Sequence, residues 1–414
     1  MLQAQDNWIN VDPLEPLIPK DGWLGEYLHF GEGLQACSRF KFFSACCALG
    51  AVVNNKVWLQ RGDEGLLPKL FPNPWVMLLG PPGFGNKTQT INMAINCVQQ
   101  ACPSVKILSD KLTPESLVKS LSEPIDEKDI IKIGPRDATG LIKAPELSVI
   151  FGKQQYNTGM VSLITDLYDY REEWASETIM RGRNVLRHIC ISILGGSTPD
   201  WLQSMLPQDA FTGGFMSRFI MVEMPVTYLN LKGWPTVPAD TGGWAGLVDG
   251  LRKVERLKGE MQWSPQAKAL YIRDYEALRP TGDRQRDAYY VREIEQVLKI
   301  AMTIEVAKGT LVLSETSYFK AMALLNGLMD ETSDRISHLT THPRMSLVKE
   351  IQDALIKFGT ISEKNLLKRF YKQLSHGEPQ FYEAIRVLCN AGIVHRTGSP
   401  SDYSYTLKGK EKKR

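Results

Sequence analysis

The chain has 414 residues, 43% of them hydrophobic and 23% charged. That composition fits an ordinary globular protein of two or three domains and excludes a disordered or fibrous chain. The net charge of +3 names no partner, but residues 345–414 carry 13 Lys/Arg against 7 Asp/Glu, a C-terminal surplus that suits nucleic acid and equally suits a solvated terminal charge run.

No apolar run approaches the roughly 20 residues of a membrane span. The opening MLQAQDNWINVDPLEPL lacks the charged-then-apolar order of a secretory leader. Seven cysteines show no paired metal spacing, and the six histidines form neither HExxH nor a cluster. The expectation is therefore reduced thiols in a cytoplasmic protein, with no membrane partner and no zinc site.

In chain order, a loop-rich start leads to one apolar helix, LQACSRFKFFSACCALGAVV (34–53). The turn FPNP then introduces a buried strand, Trp75–Leu79, which runs into VMLLGPPGFGNKTQT (Val76–Thr90). This stretch is close to the phosphate-loop pattern G-x-x-x-x-G-K-[ST]. Gly80, Gly83, Gly85, Lys87 and Thr88 are present, with Asn86 added between the last glycine and the lysine. A strand before it and the helical TINMAINCVQQ after it supply the context such a loop needs. Glycines let successive N–H groups turn toward a phosphate, and the helix N-terminus adds its positive end. Lys87 would reach the β/γ-phosphates of ATP, and the Thr88 hydroxyl would hold Mg²⁺.

Four further apolar runs, VKILS (105–109), GLIKA (140–144), HICISIL (188–194) and RFIMVEM (218–224), read as strands. Helical segments separate them, such as TPESLVKSLSE, where Thr113 caps and Pro114 takes the first position. Alternating strands and helices predict a parallel, three-layer α/β sheet. GLIKA ends in Pro145–Glu146, where a phosphate-loop enzyme usually has Asp–Glu. Glu146 can polarise a water for attack, while the acid that steadies Mg²⁺ is absent. CISILGGSTPDWL ends in Ser197 and Thr198, small hydroxyls able to contact the attacking water or the γ-phosphate. GGFMSRFIMV places Arg218 at a strand mouth, which suits an arginine finger. SETIMRGRNVLRHI reads as a basic hairpin around Arg181 and Arg183 and is a candidate backbone-tracking contact for DNA.

A charged, mostly helical segment covers about 245–340. The last 70 residues then hold three amphipathic helices, MSLVKEIQDALIKFG, SEKNLLKRFYKQL and EPQFYEAIRVLCNAG, followed by the strands IVHRTG and DYSYTLK. Three helices and a hairpin predict a winged helix. Its candidate phosphate contacts are Lys364, Lys368, Arg369, Lys372, Arg386 and Arg396. Winged helices also bind proteins.

The order of phosphate loop, Glu strand, Ser/Thr strand and S-R-F resembles the AAA+ ATPases, particularly the minichromosome-maintenance helicases. VREIEQVLKIAMTIEVAK (Val291–Lys308) is similar to their lid helix and implies Arg292 as a second sensor on the phosphates. APELSVIFGKQQYNTGMVSLITDLYD and GGSTPDWLQSMLP…GGFMSRF resemble more closely a family of uncharacterised helicase-like ATPases encoded by phages and mobile elements. Irregular phosphate loops occur in that family.

The resemblance implies an AAA+ phosphate-loop core (74–230) after an N-terminal helical segment (1–73), then a helical lid (231–343) and a winged helix (344–414). It implies an ATP- and Mg²⁺-dependent DNA helicase or translocase in phage or mobile-element replication. Such a motor would work as a homo-oligomeric ring, a hexamer, on single-stranded or forked DNA in the host cytoplasm, with a separate primase or initiator. The alternative is a replication initiator or helicase loader that binds DNA and nucleotide with little turnover.

Overall fold

Fifteen consecutive buried residues, Arg39–Val53, run through the helix Ser38–Val53. A helix apolar all round has to be packed on every side, and this one lies between the main sheet, the helix Lys87–Ala101 and the helix Arg284–Ala307. Its two buried cations are satisfied locally. Asp12 accepts from the Arg39 side chain (Nη2 2.7 Å, Nε 2.8 Å) and backbone N (2.9 Å), and the Lys41 ammonium donates to the Gly31 carbonyl. Gly50 permits the close approach of this helix to the FPNP turn, since an added Cβ would meet the Pro72 carbonyl oxygen at 1.9 Å.

The computed structural model describes residues 11–64, 66–108, 111–122, 137–151, 159–178, 182–205, 214–226, 228–280, 282, 284–340, 343–371, 374, 378–399 and 403–408. Its first strands are β1 (Val57–Leu59), β2 (Trp75–Leu79), β3 (Ile107–Leu108), β4 (Thr139–Ala144), β5 (Glu173–Thr178), β6 (Gly182–Arg187), β7 (Cys190–Ser197) and β8 (Ile220–Glu223). They are followed by β9 (Gly259–Trp263), β10 (Val312–Leu313), β11 (Ile361–Ser362), β12 (Val394–Thr397) and β13 (Ser404–Leu407).

The chain divides into two compact units, 1–332 and 333–414. In the first, β3-β4-β7-β2-β8 form a five-stranded sheet whose pairs are all parallel, so the fold is α/β. β2 and β7 are buried along their whole length, as expected of parallel strands covered on both faces. All five strands fall within or beside the apolar runs that foretold them. The expected capped helix occupies Pro114–Leu121, with Thr113 and Ser116 bonded reciprocally.

One hydrophobic core runs from Leu14 to Leu328 and draws together residues from the first three expected segments. A second sheet, β1-β9-β10, is also parallel and pairs Val57 with Gly259 and Val312 with Gln262. It ties the segment before the glycine-rich loop to the helices Gly243–Glu255, Pro265–Glu276, Arg284–Ala307 and Glu315–Thr340. β5 and β6 make the expected antiparallel hairpin. Its tip, with Arg181, lies outside the described residues.

The second unit holds the helices Pro343–Phe358, Glu363–Phe370 and Glu378–Asn390, with an antiparallel sheet ordered β11-β13-β12. Leu347, Ile351, Leu355, Phe381, Leu388 and Tyr405 centre its core. Among the described residues, no helix is long and apolar enough to cross a membrane.

Candidate nucleotide site

Parallel strands point their C-terminal ends the same way, and ligands of open α/β sheets gather at that edge. β7 lies between β2 and β4. Leu79 pairs with Ser197, and Gly195 with Ala144. The loop from Gly80, the hydroxyls of Ser197 and Thr198, and Glu146 therefore arrive at one edge of the sheet. The Gly80 N–H donates to the Ser197 carbonyl at 3.3 Å and links two of these tips directly.

Asn86 explains how the loop holds its additional residue. It is left-handed (φ 47°, ψ 28°) and stands as the N-cap of the helix that begins at Lys87. Asparagine tolerates that conformation better than most residues. Its amide donates to Gln35 Oε1 (3.2 Å) and to the Phe84 carbonyl (3.4 Å). Gly83 also has positive φ, 79°. A Cβ added at Gly85 would approach the Pro81 carbonyl at 3.2 Å and Lys87 Nζ at 3.6 Å, so at this glycine the loop closes on its own backbone and the lysine.

Lys87 is 7% exposed. Its ammonium donates to the carbonyls of Gly80 (2.7 Å) and Pro81 (3.1 Å). Burial lowers its pKa, and the negative charge of Glu146 acts in the opposite sense. Thr88 is exposed in the first turn of the helix, and Glu146 is exposed two residues beyond β4. Ser197 is buried and donates to the Thr198 carbonyl, while Thr198 Oγ1 accepts from the Trp201 N–H.

Among the described residues no group of three His, Cys, Asp or Glu could hold a metal. The polar groups gathered here are the hydroxyls of Thr88, Ser197 and Thr198, the solvent-facing Glu146 carboxylate and the Lys87 ammonium, beside an asparagine-capped turn. The seven cysteines are free thiols, and burial pushes Cys37, Cys46, Cys97, Cys102 and Cys190 up to about 12.

Arg218 and Arg292 do not join this edge. Arg218 ends a short 3₁₀ turn just before β8, on the N-terminal side of the sheet. There it donates to the Gly214 carbonyl (2.7 Å) and faces Asp169 (3.7 Å). Arg292 bonds the other oxygen of Asp169 at 3.2 Å. The Gln296 amide, one helical turn on, donates to the Ser217 carbonyl at 2.8 Å and fixes the long helix against this turn. Arg292, whose resemblance-based role is a sensor on the phosphates, lies beside Arg218 within one chain.

No model of a known protein family and no curated protein matches the chain.

Arg183 is exposed and ion-paired to Glu173 across the hairpin at 3.3 Å. In the second unit Lys364, Lys368, Arg369, Arg386 and Arg396 are all exposed, and Lys372 lies outside the described residues. Arg369 stacks on Phe358 and Arg396 on Tyr403, with cation-to-ring distances of 4.4 and 4.3 Å. Arg386, Arg396 and Lys408 border a cleft of about 590 Å³.

Three features escaped the sequence reading. Gly196 is one, since an added Cβ would meet the Pro145 carbonyl at 2.7 Å and Lys87 Cβ at 3.5 Å. Gln35 is another, bridging Asn86 and the Lys232 carbonyl. The third is Asp169 with Tyr168. The glycine pair in ILGGSTP was a usable signal for the first. The other two depend on contacts between distant segments.

Proposed function

We propose that the chain is an ATP-dependent DNA translocase or helicase of the AAA+ type, acting as a ring of identical subunits on single-stranded or forked DNA. The reading includes the resemblance to helicase-like ATPases of phages and mobile elements, in which priming or initiation falls to a separate chain. One observation carries it. The loop, the hydroxyl strand and Glu146 share one edge of a parallel sheet, while the two arginines suited to phosphoryl transfer occupy the opposite edge, where a neighbouring subunit could use them.

ATP would lie against the Gly80–Thr88 loop, with Lys87 exchanging the Gly80 and Pro81 carbonyls for the β/γ-phosphates. Mg²⁺, held by Thr88 and phosphate oxygens, would neutralise charge on the transferred group. Glu146 accepts the proton of the attacking water, and Ser197 or Thr198 contacts the γ-phosphate. Arg218 and Arg292 meet the charge that develops there from the adjacent subunit. The helices and antiparallel sheet of 333–414 are read as a winged helix, whose exposed cations contact DNA phosphates.

A second reading, a winged-helix initiator or loader with little turnover, draws on Pro145 in place of a metal-steadying acid. Steady-state ATP hydrolysis with and without single-stranded DNA separates the two. The motor predicts DNA-stimulated turnover that Lys87→Ala abolishes. Nucleotide binding without stimulated turnover selects the second reading, and full turnover by folded Lys87→Ala removes the proposed site.

A further inference from the structure

We infer that Asp169, beside Tyr168, is a positioning residue that holds Arg218 and Arg292 together as one anion-binding pair for the γ-phosphate on a neighbouring subunit. This rests on the function proposed above and adds to it a residue that no motif marks.

Asp169 binds the two guanidinium groups through different oxygens, at 3.7 Å to Arg218 and 3.2 Å to Arg292. The segments meeting here are far apart in sequence and are brought together by packing. Tyr168 is buried with its ring against Trp75, at the start of β2, in an edge-on contact with centroids 4.8 Å apart. Three cations surround that ring: Lys299 at 4.0 Å, Arg218 at 5.3 Å and Arg292 at 5.4 Å. Aromatic faces attract cations, so Tyr168 gathers the group and Asp169 sets the spacing of its outer members.

Among the described residues, direct ion pairs join four cations, Arg61, Arg218, Arg292 and Lys299, to two carboxylates, Asp169 and Glu295. Such an arrangement is suited to a phosphate. Arg218 Nε and the Tyr168 hydroxyl are moreover buried without a hydrogen-bond partner among the described residues. Such atoms are rare in folded proteins, and each calls for an explanation.

Here Asp169 is 45% exposed and Arg292 26%, so the pair opens to solvent at its rim. The two like charges also need a mediator. Burial and then the charge of Arg292 lower the pKa of Arg218, against the pull of Asp169.

The test uses the full-length assembly. Asp169→Asn keeps the shape and removes the charge. It is expected to lower kcat about tenfold or more while leaving the KM for ATP within about twofold, because the interaction lost is made in the transition state. Asp169→Glu should restore most of the rate.

Mixing locates the defect. Asp169→Asn subunits retain an intact loop, and Lys87→Ala subunits retain an intact arginine pair. At 1:1, about a quarter of the interfaces of a head-to-tail ring pair the two intact halves, and activity should return to about that fraction. Turnover by Asp169→Asn at or above the unmodified level overturns the inference, since the carboxylate would then restrain the arginines. A slow Asp169→Asn that Lys87→Ala cannot rescue, in a mixture where Arg218→Ala is rescued, also overturns it and leaves the function intact. If Arg218→Ala is not rescued either, the ring mechanism and this inference fail together.

Discussion

Arg218→Ala separates action within a subunit from action between subunits by magnitude alone. Leu79 pairs with Glu223, so Gly80 is level with Met224, and the Arg218 turn precedes Ile220. The intervening strand spans about 13 Å at about 3.3 Å per residue. A unit charge at that range is worth about 0.3 kcal/mol in water and about 1.3 kcal/mol at an effective permittivity of about 20. Acting on its own subunit's phosphates, Arg218 could therefore change the rate by at most about tenfold. An arginine finger in contact with the transferred group is worth about 10³–10⁵. Arg218→Ala is expected to bind ATP near normally, to assemble, and to lose at least about 10³ in kcat. The assay is steady-state phosphate release beside equilibrium binding of a fluorescent ATP analogue. A loss of tenfold or less in an assembled, folded variant refutes the placement of Arg218 at a neighbour's γ-phosphate.

Gly196→Ala pushes a Cβ against the Pro145 backbone, which cannot yield like a side-chain tip. Overpacking of this kind costs about 1–3 kcal/mol, and the displaced Glu146 should reduce turnover about 10- to 100-fold, read by thermal unfolding and phosphate release. Lys368→Ala with Arg386→Ala should weaken DNA binding at every sequence and reduce the slope of log affinity against log salt by about 2, measured by fluorescence anisotropy; an unchanged slope makes 333–414 a protein-binding unit. His29 lies between Glu32 (2.9 Å) and Asp240 (2.8 Å), and these two bonds raise its pKa. A raised folded pKa means that its contribution is complete below the unfolded value of about 6.5 and disappears as pH rises through the higher folded pKa. The Tm advantage over His29→Gln should thus be largest near about pH 5.5 and vanish by about pH 9, and a pH-independent difference contradicts it.

The central sheet was legible because each parallel strand is buried on both faces and must read as a short apolar run. β7 does so through CISILGGS, and β2 through WVMLL. The helix 38–53 was legible for the same reason, except for its two buried cations: the burial of Arg39 depends on Asp12 arriving from an irregular segment, and Lys41 donates to the Gly31 carbonyl. The sheet β1-β9-β10 was not readable. GEMQW has no apolar run, and its partners lie some two hundred residues upstream and about fifty downstream. β11 is only two residues long. The placement of Lys87, Glu146 and Ser197 at one edge of the sheet was legible, because a loop and the strand ends beside it are local features. Sidedness was not. That Arg218 and Arg292 share Asp169 follows from the docking of the long helix on the turn before β8, which includes the bond from Gln296 to the Ser217 carbonyl. No periodicity encodes that docking.

The two departures from the phosphate-loop pattern differ in their physical consequence. Asn86 adds one left-handed residue before the helix, which still starts at Lys87. The lysine and Thr88 therefore keep their place in the first turn, and the helix N-terminus still faces the loop. The additional length is taken up in the turn, where Asn86 is held by Gln35 and the Phe84 carbonyl. Phosphate binding needs N–H groups and a lysine, and neither is lost. Pro145 is different, because it removes a carboxylate from the strand end that pairs beside β7 and leaves Glu146 as the acid there. On the proposed function, the burden would fall on Mg²⁺, whose protein ligand would reduce to the exposed Thr88 hydroxyl. The bulged loop and the missing acid therefore predict separable defects: near-normal nucleotide affinity, together with a weak and strongly concentration-dependent requirement for Mg²⁺.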